Sequence, residues 1–477
     1  MKIQRSTNQW LYIASLTFII ALFLFAGILA NENLLNPDNL YVDESITFSG
    51  VKRILHPGSV DEFIWAITDG DDHRYGRILW NSIALVAYIP SIFFGDIGQL
   101  MAGRMLQVAL LIASFVIFAH TFIKSELLRI GLICTLSVMP FTTYFMTMPK
   151  PEPIMIFCLA LFLYFYKKNN LEEGKPYWIL LGMAFGAKIS MLPAIPIFLL
   201  ASLYKKPIRS ETVKTLRNLF ISVMYIFIGF CLAIPMFIKA SGIVAIQLGI
   251  LYLIIRLGIK NKMLAWGLAL VVALGILAIP EIRNHLPKNL GIRYALEQWI
   301  HATFMKLNYG GLDPNYSWRD WGKFFIAYWM MTPTSIAIGI SCVIGPLVTL
   351  IFTSLAIRWR QLDSKLLILA ATLIIGCLMF ISPFISIKNR MWGMYLYPGC
   401  ILIITSIFYT TELVREKQFE IIFNGSLLKP LKYLSATTLI SILVVATYFW
   451  IPHSIQDIKF LGARSTIDDY REWNLGK

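Results

Sequence analysis

The sequence predicts an all-α polytopic membrane protein, a bundle of about 13 membrane-spanning helices with large external loops. Three observations predict it. Hydrophobic residues fill 57% of the 477 positions and charged residues only 14%, too few polar side chains to cover a soluble globule. Apolar runs of roughly 15 to 25 residues recur along the chain, long enough to cross a hydrocarbon core of about 30 Å. The 32 Phe, 21 Tyr and 13 Trp suit lipid-facing and interfacial surfaces, and the short alternating segments of a β-barrel do not occur.

The net charge of +15 raises a nucleic-acid reading, but no basic patch interleaved with aromatics supports it. Most Lys and Arg stand in short loops between apolar runs, where they set orientation in the membrane, so nucleic acid is not expected as a partner. Cys134, Cys158, Cys231, Cys342, Cys377 and Cys400 all fall inside apolar runs without pairing or metal spacing and read as small buried hydrophobes.

The first apolar run, from about Trp10 to Ala30, follows Lys2 and Arg5 as in a signal peptide. It is long enough to span, and Asn31-Glu-Asn offers no small-residue cleavage site, so it reads as the first transmembrane helix with a cytoplasmic N-terminus. Two topologies compete beyond it. If Ile78 to Phe94 is the second span and Tyr177 to Tyr204 a single span, Lys124, Arg129, Lys167, Lys168 and Lys175 fall outside, against the positive-inside bias. If Ile78 to Phe94 is instead a re-entrant or juxtamembrane helix, the spans become Arg104 to Ile123, Leu128 to Met148 and Pro153 to Tyr166, and those five cations become cytoplasmic. Residues 177–204 must then cross twice, as two short helices meeting near Ala187-Lys188-Ile189-Ser190, where Gly182, Gly186, Pro193 and Pro196 allow close packing or broken helices. The second scheme is preferred.

Further spans follow at about Asn218 to Ala240, Ile243 to Leu257, Met263 to Pro280, Phe324 to Ile357, Leu366 to Ile387, Met391 to Tyr409 and Tyr433 to Trp450. The alternation leaves residues 31–103, 281–322 and 453–477 outside. With no internal repeat, linker or low-complexity segment, residues 1–477 read as one transmembrane domain. The preferred scheme brings Asp43 and Glu44, the stretch Asp69 to Tyr75, Arg104, Glu152, Lys188 and the Lys388-Asn389-Arg390 corner to the external face, where carboxylates and cations from separate helix ends can share one cleft.

An ordered set of segments carries a resemblance: "VDES" after the first span, "HRYGRILWNS" leading into a short apolar helix, "GRMLQVALLIASFVIF", "MPKPEPIMIFCLALFLYF", "GMAFGAKISMLPAIPIFLL", and late in the chain "KNRMWGMYLYPG". This set resembles the GT-C superfamily of integral-membrane glycosyltransferases, in particular bacterial relatives of protein O-mannosyltransferases and of the lipid A aminoarabinose transferase. It covers residues 1–205 and the 385–400 corner; residues 205–380 match only in hydropathy. The resemblance implies a GT-C-like bundle in a bacterial inner membrane that transfers a sugar, with inversion, from a polyprenyl-phosphate donor to a glycan, lipid or protein acceptor on the external side. It also implies that Asp43 matches the first acid of the family's Asp-Glu motif, the general base, and Glu44 the second. Glu152 stands where relatives carry a second external acid, often Asp, and Lys188 matches a lysine at the junction of two short helices. The family's Lys-Pro-Pro-Leu is replaced here by Tyr75-Gly-Arg-Ile78.

The chemistry of the residues runs in the same direction. Inverting transfer needs a carboxylate base for the acceptor hydroxyl, and the leaving lipid phosphate needs cations, for which Arg104, Lys188 and Arg390 are the candidates. Asp71, Asp72 and His73 form a candidate donor set for a divalent metal ion, with a solvated acidic turn as the alternative. Plain alternatives stand beside the other assignments too: a hydrated loop or helix cap for Asp43 and Glu44, polar punctuation of a helix start for Glu152, and interface anchoring for the three cations. His301 sits in the 281–322 loop, whose Trp299, Tyr309, Tyr316, Trp318 and Trp321 could stack on sugar or acceptor or line the interface. Two other functions remain open at this point: a transporter or lipid flippase, and a lipid-linked polysaccharide polymerase or ligase.

Overall fold

A computed structural model describes residues 42–68, 77–139, 142–147, 149–204, 212–238, 363–386, 392–416 and 425–452, with positions 12, 16, 255, 268, 271, 272 and 454. Their regular structure is helical throughout. The order is α1 (Val42–Leu55), α2 (Val60–Thr68), α3 (Ile78–Phe122), α4 (Glu126–Val138), α5 (Thr142–Thr147), α6 (Pro151–Lys168), α7 (Trp178–Ala187), a 3-10 turn at Ile189–Met191, α8 (Ala194–Tyr204), α9 (Thr212–Ala233), α10 (Ser364–Ser386), α11 (Trp392–Arg415) and α12 (Gly425–Val445). Among the described residues four helices are long and apolar enough to cross a membrane: Ile78–Phe122, Lys214–Ala233, Tyr397–Arg415 and Lys429–Trp450. The expected spans of residues 243–257, 263–280 and 324–357 lie outside the described residues, apart from the four positions 255, 268, 271 and 272.

The 45-residue α3 is two helices in one run, because Gly95 adopts φ 57° and ψ −138° in its middle. Only glycine takes that conformation at low cost. The chain doubles back there: Gly98 lies against the Pro90 carbonyl and Gly103 against the Ile83 side chain, so the first arm runs antiparallel along the start of the second. This agrees with the expectation that Ile78 to Phe94 is separate from the span that begins near Arg104. Leu85, Ile89, Ile92 and Phe93 leave an exposed apolar stripe on the first arm, as a lipid-contacting helix would.

The expected span Leu128 to Met148 is corrected: it is two helices, α4 and α5. Met139 caps α4 in an extended conformation, φ −62° and ψ 142°, and the next residue is Pro140. Proline disfavours a helical conformation in the residue before it and lacks the N–H that would continue the ladder.

Residues 177–204 do turn back on themselves. Tyr166 near the end of α6 touches both ends of this segment, with its ring 5.6 Å from Trp178 at the start of α7 and its hydroxyl donating to the Phe198 carbonyl at 2.8 Å late in α8. Phe162 stacks around the same point, against Trp178 and Phe198. The helices therefore leave and return to one level, and the turn is made where Lys188 is extended at φ −154° and ψ 127°. Beside them α7 and α9 cross at backbone contact: a Cβ on Gly182 would overlap the Ile226 carbonyl, and one on Gly229 the Ile179 carbonyl. Small residues permit such an approach where lipid offers no hydrophobic drive.

Contacts between helix ends divide the bundle into two poles. At one, the Phe122 and Tyr409 rings lie 4.9 Å apart, Lys124 and Lys365 both pair with Glu416 (2.7 and 2.9 Å), and Ser364 donates to the Asn170 side chain at 2.7 Å. Burial pushes the Glu416 carboxyl up, but the two lysines outweigh it and hold the group below the usual carboxylate range. At the other pole the Thr142 and Tyr397 hydroxyls meet at 2.9 Å, and Ser454 donates to the Val138 carbonyl at 3.2 Å. Lys124, Arg129, Lys167, Lys168 and Lys175 gather around the first, basic pole.

Candidate active site

The candidate site lies at the pole opposite the basic one. α1 opens with Val42, Asp43 and Glu44, so both acids sit in a first helical turn, where the helix dipole favours negative charge. Two contacts press α1 onto α3: the Gln99 amide donates to the Phe48 carbonyl at 2.8 Å, and the absence of a side chain at Gly50 lets the Trp80 ring approach. Arg77, stacked 3.9 Å over that ring, donates through Nε to the Ala66 carbonyl at 3.0 Å and ties α2 into the same corner.

This packing buries Glu44 against Arg104. The guanidinium donates from Nε (3.0 Å) and Nη2 (2.8 Å) to Glu44 Oε1, and both side chains are almost wholly buried. The pair joins positions 60 residues apart in sequence. Asp43 is one residue earlier in the same turn; its side chain lies outside the described residues.

A second buried pair stands on the neighbouring helices. α6 begins at Pro151, whose φ is preset and whose lack of an N–H costs nothing at a helix start, and carries Glu152 in its first turn. Lys188, held at the break between α7 and the 3-10 turn, donates to Glu152 Oε1. Both are buried, and Glu152 Oε2 finds no hydrogen-bond partner among the described residues. The elements that carry the two pairs adjoin: a Cβ on Gly103, next to Arg104, would meet the Pro149 ring at 3.8 Å, two residues before α6.

Four expected site residues, Glu44, Arg104, Glu152 and Lys188, are thus brought to one pole, each cation holding a carboxylate. Arg390, Asp71, Asp72 and His73, and the aromatic loop 281–322, lie outside the described residues. The two helices that flank Arg390, α10 and α11, run from and to the basic pole. Sequence reasoning missed Gln107. It lies one turn from Arg104 towards the bundle interior, fully buried, and neither amide atom has a hydrogen-bond partner among the described residues. Its signal was a lone amide inside the apolar run that follows Arg104.

No protein-family model matches the chain, and no curated protein matches it. The chemistry of the site has to be read from its own side chains. Buried charges are tolerated only when paired, and each cation here is compensated by its carboxylate. An arriving anion can share the N–H donors of Arg104 and Lys188, and a carboxylate released or left partly unpaired can accept a proton.

Proposed function

We propose that the chain is an inverting membrane glycosyltransferase of GT-C type, which moves a hexosyl or pentosyl group from a polyprenyl-phosphate donor to a glycan, lipid or protein acceptor at the external face of the membrane. The observation that carries this reading is the meeting of two buried carboxylate–cation pairs, drawn from four separate segments, at the pole opposite the basic one. A lipid-tethered donor presents its reactive carbon and its phosphate at membrane level, and a transferase must supply a base for one and cations for the other at that same level.

Asp43 is the general base. It takes the acceptor hydroxyl's proton as that oxygen attacks the anomeric carbon, and the bond from the carbon to the phosphate oxygen breaks with inversion. The lipid phosphate leaves as a stable anion, so no general acid is required. Glu44, locked to Arg104, fixes the first turn of α1 and with it the position of Asp43, which makes it a positioning residue. Arg104, Lys188 and Arg390 take up the charge developing on the phosphate, the guanidinium forks offering parallel N–H groups and the lysine a point charge. Glu152 keeps the buried Lys188 compensated.

One observation favours a transporter instead: a broken helix pair with a buried lysine at its break. The Lys188–Glu152 pair sits in the first turn of α6 rather than midway along it, which weighs against that reading. The test is transfer by the purified protein from a polyprenyl-phosphate sugar, followed as release of polyprenyl phosphate together with a new glycosidic bond. Asp43→Asn is expected to lower turnover about 10²- to 10⁴-fold, and Glu44→Gln by less. Near-normal turnover in Asp43→Asn removes the base assignment. A donor that changes sides of the bilayer without releasing phosphate makes the protein a flippase.

A further inference from the structure

The basic pole holds a cluster that the proposed reaction does not use. Lys167, in the last turn of α6, donates to the Thr121 carbonyl at the end of α3, and its ammonium stands over the rings of Phe122 (5.5 Å) and Tyr409 (4.8 Å). Its neighbouring carboxylates are already engaged: Glu416 by Lys124 and Lys365, Glu412 by the Lys124 backbone N–H at 3.3 Å and by Arg415 at 2.6 Å. Among the described residues no carboxylate hydrogen-bonds the Lys167 ammonium, although an ammonium has three donors and one carbonyl satisfies one of them.

Two hydroxyls beside it are also unused. Tyr409 is 2% exposed and Thr121 7%, yet neither the phenol of the one nor the side-chain hydroxyl of the other has a hydrogen-bond partner among the described residues. Buried donors left unpaired are costly, and here three donor groups lie close together towards the ends of α3, α6 and α11. An oxyanion accepts from all of them. Glu412 Oε2, buried and without a partner among the described residues, refines the chemistry, since it repels a bare dianion and accepts from a donor on the same ligand.

We propose that this cluster binds the phosphodiester headgroup of a phospholipid from the leaflet at the basic pole. The phosphate monoanion accepts from Lys167, Tyr409 and Thr121, and a hydroxyl or ammonium on its alcohol donates to Glu412. The source is a lipid because the site lies at helix ends, in the headgroup layer, with a rim open to that surface: Lys124 is 71% and Arg415 56% exposed. The site is independent of the proposed active site, which begins the same helix α6 about 24 Å away at about 1.5 Å per residue.

The full-length protein in a neutral detergent is titrated with dioctanoyl phosphatidylglycerol, with dioctanoyl phosphatidylcholine, and with inorganic phosphate, while Tm is recorded. Phosphatidylglycerol is expected to raise Tm saturably. Phosphatidylcholine, whose alcohol has no donor for Glu412, should do so more weakly, and inorganic phosphate not at all. Tyr409→Phe removes only a hydroxyl without a partner among the described residues, so it should fold and need about tenfold more phosphatidylglycerol for half its effect. Lys167→Gln should abolish the rise. An equal response in the wild type and Tyr409→Phe, or no response to phosphatidylglycerol, overturns the proposal. A rise produced by inorganic phosphate alone overturns the lipid as its source.

Discussion

Glu44 and Arg104 show how the function and stability of a buried pair separate at the level of single residues. Removing one partner leaves an unpaired charge in a low-dielectric site, which typically costs about 3–5 kcal/mol, whereas removing both replaces the pair with neutral surface. Arg104→Met and Glu44→Leu should therefore each lower the stability of the detergent-solubilised protein strongly, and the double variant should recover much of the loss while remaining inactive. Thermal unfolding of the three variants checks this; a double variant as unstable as the sum of the singles would mean that each side chain acts through contacts other than the pair. The charge types were legible in the sequence, since carboxylates and cations near helix ends are costly without a purpose. Their partners were not. Nothing in the sequence joins positions 44 and 104, or 152 and 188, because the pairing depends on how α1 seats on α3 and how far the α7–α8 pair reaches along α6.

At the level of elements, the reversals were more legible than the breaks. Charge bias and chain parity called for two short helices in residues 177–204 and a separate helix before Arg104, and the turns fall at Lys188 and Gly95. The interruption between α4 and α5 was passed over although Pro140 stands in the run, because an apolar run of sufficient length was taken as one helix. The crossing of α7 and α9 gives a sharp test of packing. At Gly182 an added methyl meets backbone, the Ile226 carbonyl, which cannot move without shifting the whole helix; at Gly131 it meets the Phe408 ring at 3.2 Å, which can turn. Gly182→Ala is thus expected to cost at least the 1–3 kcal/mol or so of an overpacked core. Gly131→Ala should be close to neutral, the helix propensity gained offsetting a small rearrangement. Comparable Tm values for the two variants would show that α7 and α9 do not pack at backbone distance.

For the whole molecule, the two poles define the direction of every described helix, and the remaining question is which pole faces the cytoplasm. Four described helices are long and apolar enough by themselves, whereas α6 carries Glu152 in its first turn and Lys167 and Lys168 in its last. The basic pole collects Lys124, Arg129, Lys167, Lys168 and Lys175, so it should be cytoplasmic, with the Glu44–Arg104 and Glu152–Lys188 pairs facing outward. Glu152 itself is a poor reporter, being buried on its lysine, but Lys150, two residues earlier and half-buried, is at the same level and reachable. Single cysteines at 150 and at the exposed 168, in a background lacking the six native cysteines, are probed in intact cells with a membrane-impermeant thiol reagent. Position 150 should label directly and position 168 only after permeabilisation. Labelling of 168 in intact cells, with 150 protected, would turn the bundle over: the paired carboxylates would then face the cytoplasm, and a polyprenyl-phosphate donor presented at the external face could not reach Asp43.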